Sequence, residues 1–202
     1  SPQFNNIGPG DYVVTVTDSN NCTVNTQRIQ IGTEFKVAAS IIKALDCTAS
    51  PAAAINVTIS GGTKALRYKV FKDGKKISEN DVAIPETDTS FTYQVKEDQT
   101  GIYTFEIIDA NGCVKTTHPI TIKPKTLPVI NSIPQIQSIL CHGDSTAAIQ
   151  VNLDTTKGVA PFSYEVKNKT TNTNLGNQFY SLPAGEYEIT VIDSRSCKNS
   201  KD

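Results

Sequence analysis

The sequence predicts an all-β protein built from tandem immunoglobulin-like antiparallel β-sandwich repeats. Apolar and polar side chains alternate along short segments, which is the period of a half-buried strand. Turn residues separate these segments, and no segment has helical periodicity. One segment of the sequence also occurs three times, which indicates a repeated domain.

The three copies of this segment are Gly10–Cys22, Gly101–Cys113 and Gly185–Cys197. Each has a Tyr two residues after the Gly, an Asp six residues after the Tyr and a Cys ten residues after the Tyr. The tyrosines Tyr12, Tyr103 and Tyr187 are 91 and 84 residues apart, and this spacing matches one β-sandwich domain. A tandem repeat is therefore expected.

The copies divide the chain into three predicted parts. Residues 1–32 are expected to be the C-terminal part of a truncated repeat, and residues 33–124 a complete β-sandwich repeat. Residues 125–202 are expected to be a second β-sandwich repeat, truncated near its C-terminal strand. The two prolines of Lys123–Pro128 predict a short, stiff connector between them. The sequence is thus interpreted as an excerpt of a longer chain.

The expected strands follow the alternation of apolar residues in chain order. They are Tyr12–Thr17, Thr23–Ile31, Phe35–Leu45, Ala54–Ile59, Leu66–Phe71, Ser90–Val95, Cys113–Ile122, Ala148–Val151 and Phe162–Val166, together with the strands that begin near Tyr103 and Tyr187. Ser60–Thr63 contains two glycines and predicts a turn. Asp73–Gly74 between alternating segments predicts a two-residue hairpin.

Composition and charge exclude several classes of function. Among 202 residues the net charge is −1 and the Lys and Arg residues are scattered, which disfavours nucleic-acid binding. Trp is absent, and the two histidines, His118 and His142, lie in no motif of a catalytic nucleophile. No Gly-rich phosphate loop is present. A non-enzymatic protein without a cofactor is therefore expected.

The five cysteines recur at two equivalent positions of the repeat. Cys47 and Cys141, the early cysteines, each lie seven residues before an Ala that begins a matched strand. Cys22, Cys113 and Cys197, the late cysteines, close the repeated segment. Recurrence at equivalent positions of the repeat favours disulfide-bonded cysteines over free thiols. The absence of a Cys-x-x-Cys pair disfavours a zinc site.

One disulfide in each repeat is the simplest pairing of these cysteines. It joins Cys47 to Cys113 and Cys141 to Cys197, and it leaves Cys22 unpaired because its partner would precede residue 1. Closing loops of this length stabilises a domain by about 4 kcal/mol in the chain-entropy model. Disulfides form in oxidising compartments, so an exported protein is predicted. The alternative is five buried free thiols in a cytosolic protein.

The repeated segment also carries a Tyr and an Asp with expected structural roles. The Leu182–Tyr187 entry is typical of a tyrosine corner, so Tyr12, Tyr103 and Tyr187 are expected to be structural. The three aspartates, Asp18, Asp109 and Asp193, have two interpretations. They either cap a tight turn or form weak calcium sites, and the turn is favoured because a loop calcium site needs more oxygen ligands.

These motifs together resemble the SprB-type repeat of cell-surface gliding adhesins from the Bacteroidetes. The resemblance rests on the early cysteines, on the Ser60–Thr63 turn with Tyr68 after it, and on the late segment Ala184–Cys197. That late segment follows the family's Ala-Gly-x-Tyr-x-x-x-Val-x-Asp-x-x-Gly-Cys pattern, except that Ser196 replaces the Gly before the Cys. The second copy also lacks the Ala before Gly101.

The resemblance implies stalk repeats of a secreted adhesin that takes part in gliding motility and surface attachment. It implies export by type IX secretion and display on the exterior of the outer membrane. The partners would be neighbouring repeats, the secretion and gliding machinery through the parent protein, and surface polysaccharide. Ser145 and Thr155 fit the pattern at which Bacteroidetes attach O-glycans. The alternative is a carbohydrate-binding β-sandwich module, alone or appended to a secreted hydrolase.

Overall fold

The computed structural model describes residues 2–202 and is almost entirely β-structure. These residues form 21 strands, which pair in antiparallel sheets. The one helical element among them is a short 3-10 helix, Glu97–Gln99. The chain forms two compact units. The first comprises residues up to Ile42, Ala54–Gln94 and Gly101–Ile122, and the second comprises Lys43–Ala53, Val95–Thr100 and Lys123–Asp202.

The N-terminal part is a long hairpin that is interrupted once. Its strands are β1 (Gly10–Tyr12), β2 (Thr15–Thr17), β3 (Thr23–Asn25) and β4 (Ile29–Ile31). β1 pairs with β4, and β2 pairs with β3. The interruption arises because the Val14 N–H donates to the Thr26 hydroxyl at 3.0 Å, outside the backbone ladder. Each of the two strands expected here is therefore two short strands.

Nine strands follow between residues 36 and 122. They are β5 (Lys36–Lys43), β6 (Ala53–Ser60), β7 (Arg67–Lys72), β8 (Lys75–Lys76), β9 (Val82–Ala83), β10 (Ser90–Val95), β11 (Gly101–Ile108), β12 (Val114–Thr116) and β13 (Ile120–Ile122). One sheet has the order β10-β6-β5. The other has six strands, in which β11 lies between β7 and the successive pair β12 and β13.

An aromatic core joins these two sheets face to face. Phe91 and Tyr93 of β10 pack edge-on against Phe105 of β11, with ring centroids 5.9 and 5.5 Å apart. Tyr68 of β7 stacks on Phe91 at 4.1 Å. Phe105 is fully buried and Tyr103 is 1% exposed. Because aromatic side chains from both sheets meet in one interior, the predicted antiparallel β-sandwich is confirmed.

The predicted turns of this region are present. Phe71 pairs with Lys76 and Lys72 pairs with Lys75, so Asp73 and Gly74 form a two-residue hairpin. Their φ angles of 50° and 77° are the left-handed values that such a hairpin requires. Gly61 has φ of 67°, and a Cβ there would meet the Glu34 carbonyl oxygen at 2.4 Å. Glycine at position 61 is therefore required by both conformation and space.

The remaining eight strands lie between residues 130 and 201. They are β14 (Ile130–Ser132), β15 (Gln135–Gln137), β16 (Ala148–Ile149), β17 (Asn152–Leu153), β18 (Ser163–Asn168), β19 (Thr173–Asn174), β20 (Tyr187–Ile192) and β21 (Lys198–Lys201). A four-stranded sheet has the order β19-β18-β20-β21, and β14-β17 and β15-β16 form two small sheets. Ile130, Val166, Ile189 and Val191 form the buried core.

The compact units do not follow the sequence repeat at every residue. The second unit includes residues 43–53 and 95–100, which lie inside the predicted 33–124 repeat. The strands β9, β14, β15, β17, β19 and β21 lie outside the predicted segments, and β8 is the second strand of the predicted Asp73–Gly74 hairpin. The expected strand Cys113–Ile122 is divided at Thr117. The division into parts 1–32, 33–124 and 125–202 stays a prediction from the sequence.

In the first two copies of the repeated segment, a hydrogen bond from a backbone N–H to a threonine hydroxyl interrupts the hairpin. The contribution of this bond to stability can be tested. The buried Phe105 N–H donates to the Thr117 hydroxyl at 3.1 Å, as the Val14 N–H donates to Thr26 in the N-terminal hairpin. Thr117→Val keeps the shape and removes the acceptor, so a buried N–H loses its partner. We expect the free energy of unfolding to fall by about 1–3 kcal/mol, measured by urea denaturation.

Thr26→Val is the matched control for this substitution. Thr26 is exposed, so water can satisfy the Val14 N–H after the change, and the urea midpoint should move much less. Equal destabilisation by the two substitutions would contradict this account.

Candidate functional site

The Asp-to-Cys turn has the same geometry in all three copies of the repeated segment. The N–H of Asp18, Asp109 or Asp193 donates to the carbonyl of the Cys four residues later, at 3.0, 3.0 and 2.9 Å. In return the Cys N–H donates to Oδ1 of the aspartate at 2.8, 2.8 and 2.9 Å. The residue before each Cys has a positive φ, between 60° and 80°. These reciprocal bonds fix the late cysteine relative to the aspartate.

The second carboxylate oxygen connects two of these turns to a loop far away in sequence. Asp109 Oδ2 accepts the Thr63 N–H at 3.0 Å, and Asp193 Oδ2 accepts the Val159 N–H at 3.0 Å. Thr63 directly follows Gly62 and Val159 directly follows Gly158, and both glycines have a positive φ, of 75° and 71°. The backbone bond from Thr63, followed by those from Cys113 and Asn111, lowers the pKa of Asp109.

The carboxylates therefore act as turn caps, which is the favoured one of the two sequence interpretations. Asp18 Oδ1 likewise accepts the Asn20 N–H at 2.8 Å in addition to the Cys22 N–H. Oxygens directed at backbone N–H donors are poorly placed to coordinate calcium. Within residues 2–202, no group of three or more His, Cys, Asp or Glu residues could hold a metal ion.

One disulfide connects an early cysteine to a late cysteine. Cys47 is bonded to Cys197, with Cα atoms 4.8 Å apart and a sequence separation of 150 residues. The Cys47 N–H donates to the Arg195 carbonyl oxygen at 2.9 Å, so the backbone approaches the Asp193 turn beside the sulfurs. Cys197 is fully buried. Both cysteines belong to the second compact unit.

This bridge shows that the predicted disulfides, Cys47–Cys113 and Cys141–Cys197, are wrong. The prediction assumed that both cysteines of a bridge belong to one repeat. The backbone bond from Cys47 to Arg195 instead holds the early cysteine against the turn of the following copy. Cys22, Cys113 and Cys141 are free, and all three are exposed.

The segment around Cys47 is held by its own polar contacts. Asp46 Oδ1 accepts the Thr48 hydroxyl at 2.8 Å and the Thr48 N–H at 3.2 Å, and Lys43 Nζ lies 3.1 Å from Oδ2. Burial opposes ionisation of Asp46, but the bonds from Thr48 and Lys43 together outweigh it and lower the pKa of this carboxyl. Leu45, next in the chain, is 1% exposed.

Two tyrosines of the repeated segment, Tyr12 and Tyr187, have the expected corner geometry. The Tyr12 hydroxyl donates to the Gly8 carbonyl oxygen at 2.9 Å, and the Tyr187 hydroxyl donates to the Pro183 carbonyl oxygen at 2.7 Å. In both cases the acceptor lies four residues upstream. Tyr187 is half-buried, and this burial raises the pKa of its phenol. Tyr103 is almost fully buried.

The two candidate glycosylation residues are exposed. Ser145 lies in the loop before β16, and Thr155 lies in the turn after β17. The neighbouring carboxylate, Asp154, accepts the Thr156 hydroxyl at 2.6 Å and the Thr156 N–H at 2.9 Å. Glycosylation of Ser145 and Thr155 stays a prediction. The histidines His118 and His142 are also exposed and lie outside the strands.

Comparison with known proteins adds little to this picture. No protein-family model matches the sequence, and no curated protein matches it. Among solved structures the chain is similar to the amphioxus IgVJ-C2 molecule, with 10% sequence identity and a TM-score of 0.27. The match covers 81% of this chain and 93% of the other. At that TM-score the likeness carries no weight, so the fold assignment rests on the sheets described above.

The disulfide gives a coarse location for the protein. A structural disulfide indicates an oxidising environment, so the chain is assigned to the extracellular or secreted proteins. None of the helical structure in residues 2–202 is long and apolar enough to cross a membrane.

The Asp109 cap predicts acid sensitivity. Its folded-state pKa is below the unfolded value of about 3.9, so its stabilising contribution is complete above that pH. It is lost as the pH falls through the folded-state pKa. We expect the free energy of unfolding to decline below about pH 4, and Asp109→Asn to flatten this decline. The free energy of unfolding is measured by urea denaturation at each pH. If it declines as steeply in Asp109→Asn as in the unmodified protein, the capping role of Asp109 is contradicted.

We expect removal of the Tyr187 hydroxyl to destabilise the folded protein. Tyr187→Phe deletes its bond to Pro183 and should lower the free energy of unfolding by about 1 kcal/mol, measured by urea denaturation. The control is Tyr180→Phe, because Tyr180 is 70% exposed and its hydroxyl is solvated. If Tyr187→Phe instead weakens sugar binding and leaves stability intact, the carbohydrate-module alternative is favoured.

Proposed function

We propose that this chain is a stalk segment of a secreted cell-surface adhesin that takes part in gliding motility and surface attachment. Its β-domains hold a distal binding region away from the outer membrane, and tension along the chain passes through the Cys47–Cys197 bridge. The proposal rests on the resemblance to SprB-type repeats and on the Cys47–Cys197 bridge. Type IX secretion and display on the cell exterior belong to the same proposal.

The bridge is the observation that carries the mechanical part of the proposal. Tension applied to the two ends of the chain reaches Cys47 from one side and Cys197 from the other. The disulfide then transmits the force directly, and the residues between them stay unloaded. A protein that only binds a soluble ligand has no need for such a connection across 150 residues. A protein that resists extension benefits from it.

The placement of aromatic side chains favours the stalk over the carbohydrate-binding module. A sugar platform needs several coplanar aromatic rings on the surface. Tyr68, Phe91 and Tyr93 are instead half-buried and pack with one another and with the fully buried Phe105 between the two sheets. Tyr180 is strongly exposed, at 70%, but a single ring is not a platform.

Single-molecule pulling on residues 1–202 tests the stalk mechanism. The oxidised chain should extend only outside the bridge, whereas the reduced chain should release up to about 500 Å more, at 3.3–3.6 Å per residue over the 150-residue separation. Replacing Cys22, Cys113 and Cys141 by Ser prevents bridges between molecules. Adding Cys197→Ser to that background is the control, and it should give the long extension without reductant.

Two results would contradict the proposed mechanics. One is an oxidised chain that extends as far as the reduced chain. The other is a Cys197→Ser chain that still resists extension, because resistance would then come from packing and not from the disulfide.

A further inference from the structure

The three free cysteines occupy positions equivalent to those of the bridged pair. Cys22 and Cys113 close Asp turns with the same reciprocal hydrogen bonds as the Cys197 turn. Cys141 is the same distance as Cys47 from a pair of buried alanines, seven residues before Ala148 as Cys47 is before Ala54. Yet all three are exposed thiols, whereas Cys197 is fully buried in its bridge.

We propose that the early cysteine of each repeat is bonded to the late cysteine of the following repeat. Disulfides then join successive repeats in a staggered series, and no repeat is closed on itself. The inference rests on the tandem arrangement in the proposed function, but it does not depend on the surface location or on gliding.

The staggered rule accounts for every cysteine of the chain. Within 202 residues, only Cys47 of the second copy and Cys197 of the third form an early–late pair in consecutive copies, and this pair is bonded. Cys22 and Cys113 would each bond an early cysteine of a preceding copy, and Cys141 a late cysteine of a following copy. Pairing within each repeat would leave one free cysteine, but three are free.

The backbone beside the bridge shows how a late turn receives an early cysteine. The carbonyl of Arg195, two residues after Asp193, accepts the Cys47 N–H at 2.9 Å. In the second copy Asn111 holds the same position after Asp109, and it lies on the exposed side of the turn with Cys113. The incoming segment is therefore expected to align its N–H with the Asn111 carbonyl while its sulfur meets that of Cys113.

Formation of each bridge converts two thiols into one disulfide and releases two protons and two electrons. A disulfide oxidant, such as oxidised glutathione, accepts them and is reduced to two thiols. This chemistry requires no metal.

A chain extended by one repeat tests the proposed pairing of each early cysteine with the late cysteine of the following repeat. Residues 125–202 are added after Asp202, and the added copy carries Cys141→Ser and Lys198→Arg. The first substitution leaves a single Cys141, and the second gives the added Cys197 peptide a distinct mass after trypsin digestion. After oxidation with a glutathione redox pair, peptides are mapped under non-reducing conditions. We expect Cys47 bonded to the original Cys197 and Cys141 bonded to the added Cys197.

Two outcomes would overturn the stagger. In one, Cys141 is bonded to the Cys197 of its own repeat. In the other, Cys141 stays reactive towards iodoacetamide in the extended chain while the added copy shows native β-sheet circular dichroism.

A second measurement keeps the inference testable if the added copy does not fold. In the unextended chain, native alkylation should label three cysteines, Cys22, Cys113 and Cys141, whereas pairing within repeats would leave only Cys22 reactive. A single labelled cysteine would overturn the stagger irrespective of where the protein is located in the cell.

Discussion

The carboxylate of the turn aspartate is the interaction on which the rest of this arrangement depends. In Asp193, one oxygen accepts the N–H groups of Arg195 and Cys197, and the other accepts that of Val159. One side chain thereby sets the turn, orients the late cysteine and connects the turn to a loop 34 residues away in sequence. Removing the negative charge would leave several N–H donors competing for weaker acceptors.

This constraint also positions the backbone that receives the early cysteine. The turn fixes the Arg195 carbonyl on the same side as the Cys197 sulfur, and the Cys47 N–H donates to that carbonyl. The disulfide and the backbone hydrogen bond therefore support each other at one place. The polar contacts of Asp46 with Thr48 and Lys43 hold the opposite side of the bridge in a defined conformation.

Much of the fold could be predicted from the sequence because strands and turns have local signals. The alternation in Ala54–Ile59 and the Asp73–Gly74 pair predicted a strand and a hairpin that are both present. The threonine at position 117 carries no such signal, because its role depends on a buried N–H across the hairpin. Short strands such as β9 and β19 were missed because two residues are too few for a period to be visible.

The disulfide could not be predicted from the sequence, although the cysteines themselves were informative. Their positions within the repeat identified two classes, early and late. These positions are the same whether a disulfide joins two cysteines of one repeat or of successive repeats. Only three-dimensional proximity distinguishes Cys113 from Cys197 as the partner of Cys47. The turn role of Asp109 was predicted correctly, because an Asp two residues before an Asn-Gly pair has a strong local preference for capping.

The bridge has a consequence for proteolysis. The connector around Lys125 contains a peptide bond to Thr126 that a trypsin-like protease can cleave. Cleavage there would not release either fragment, because Cys47 lies before the cut and Cys197 lies after it. An extracellular protein nicked at this position would retain its full mass until it met a reductant. The covalent connectivity thus keeps the two fragments together, independently of how firmly the connector itself is folded.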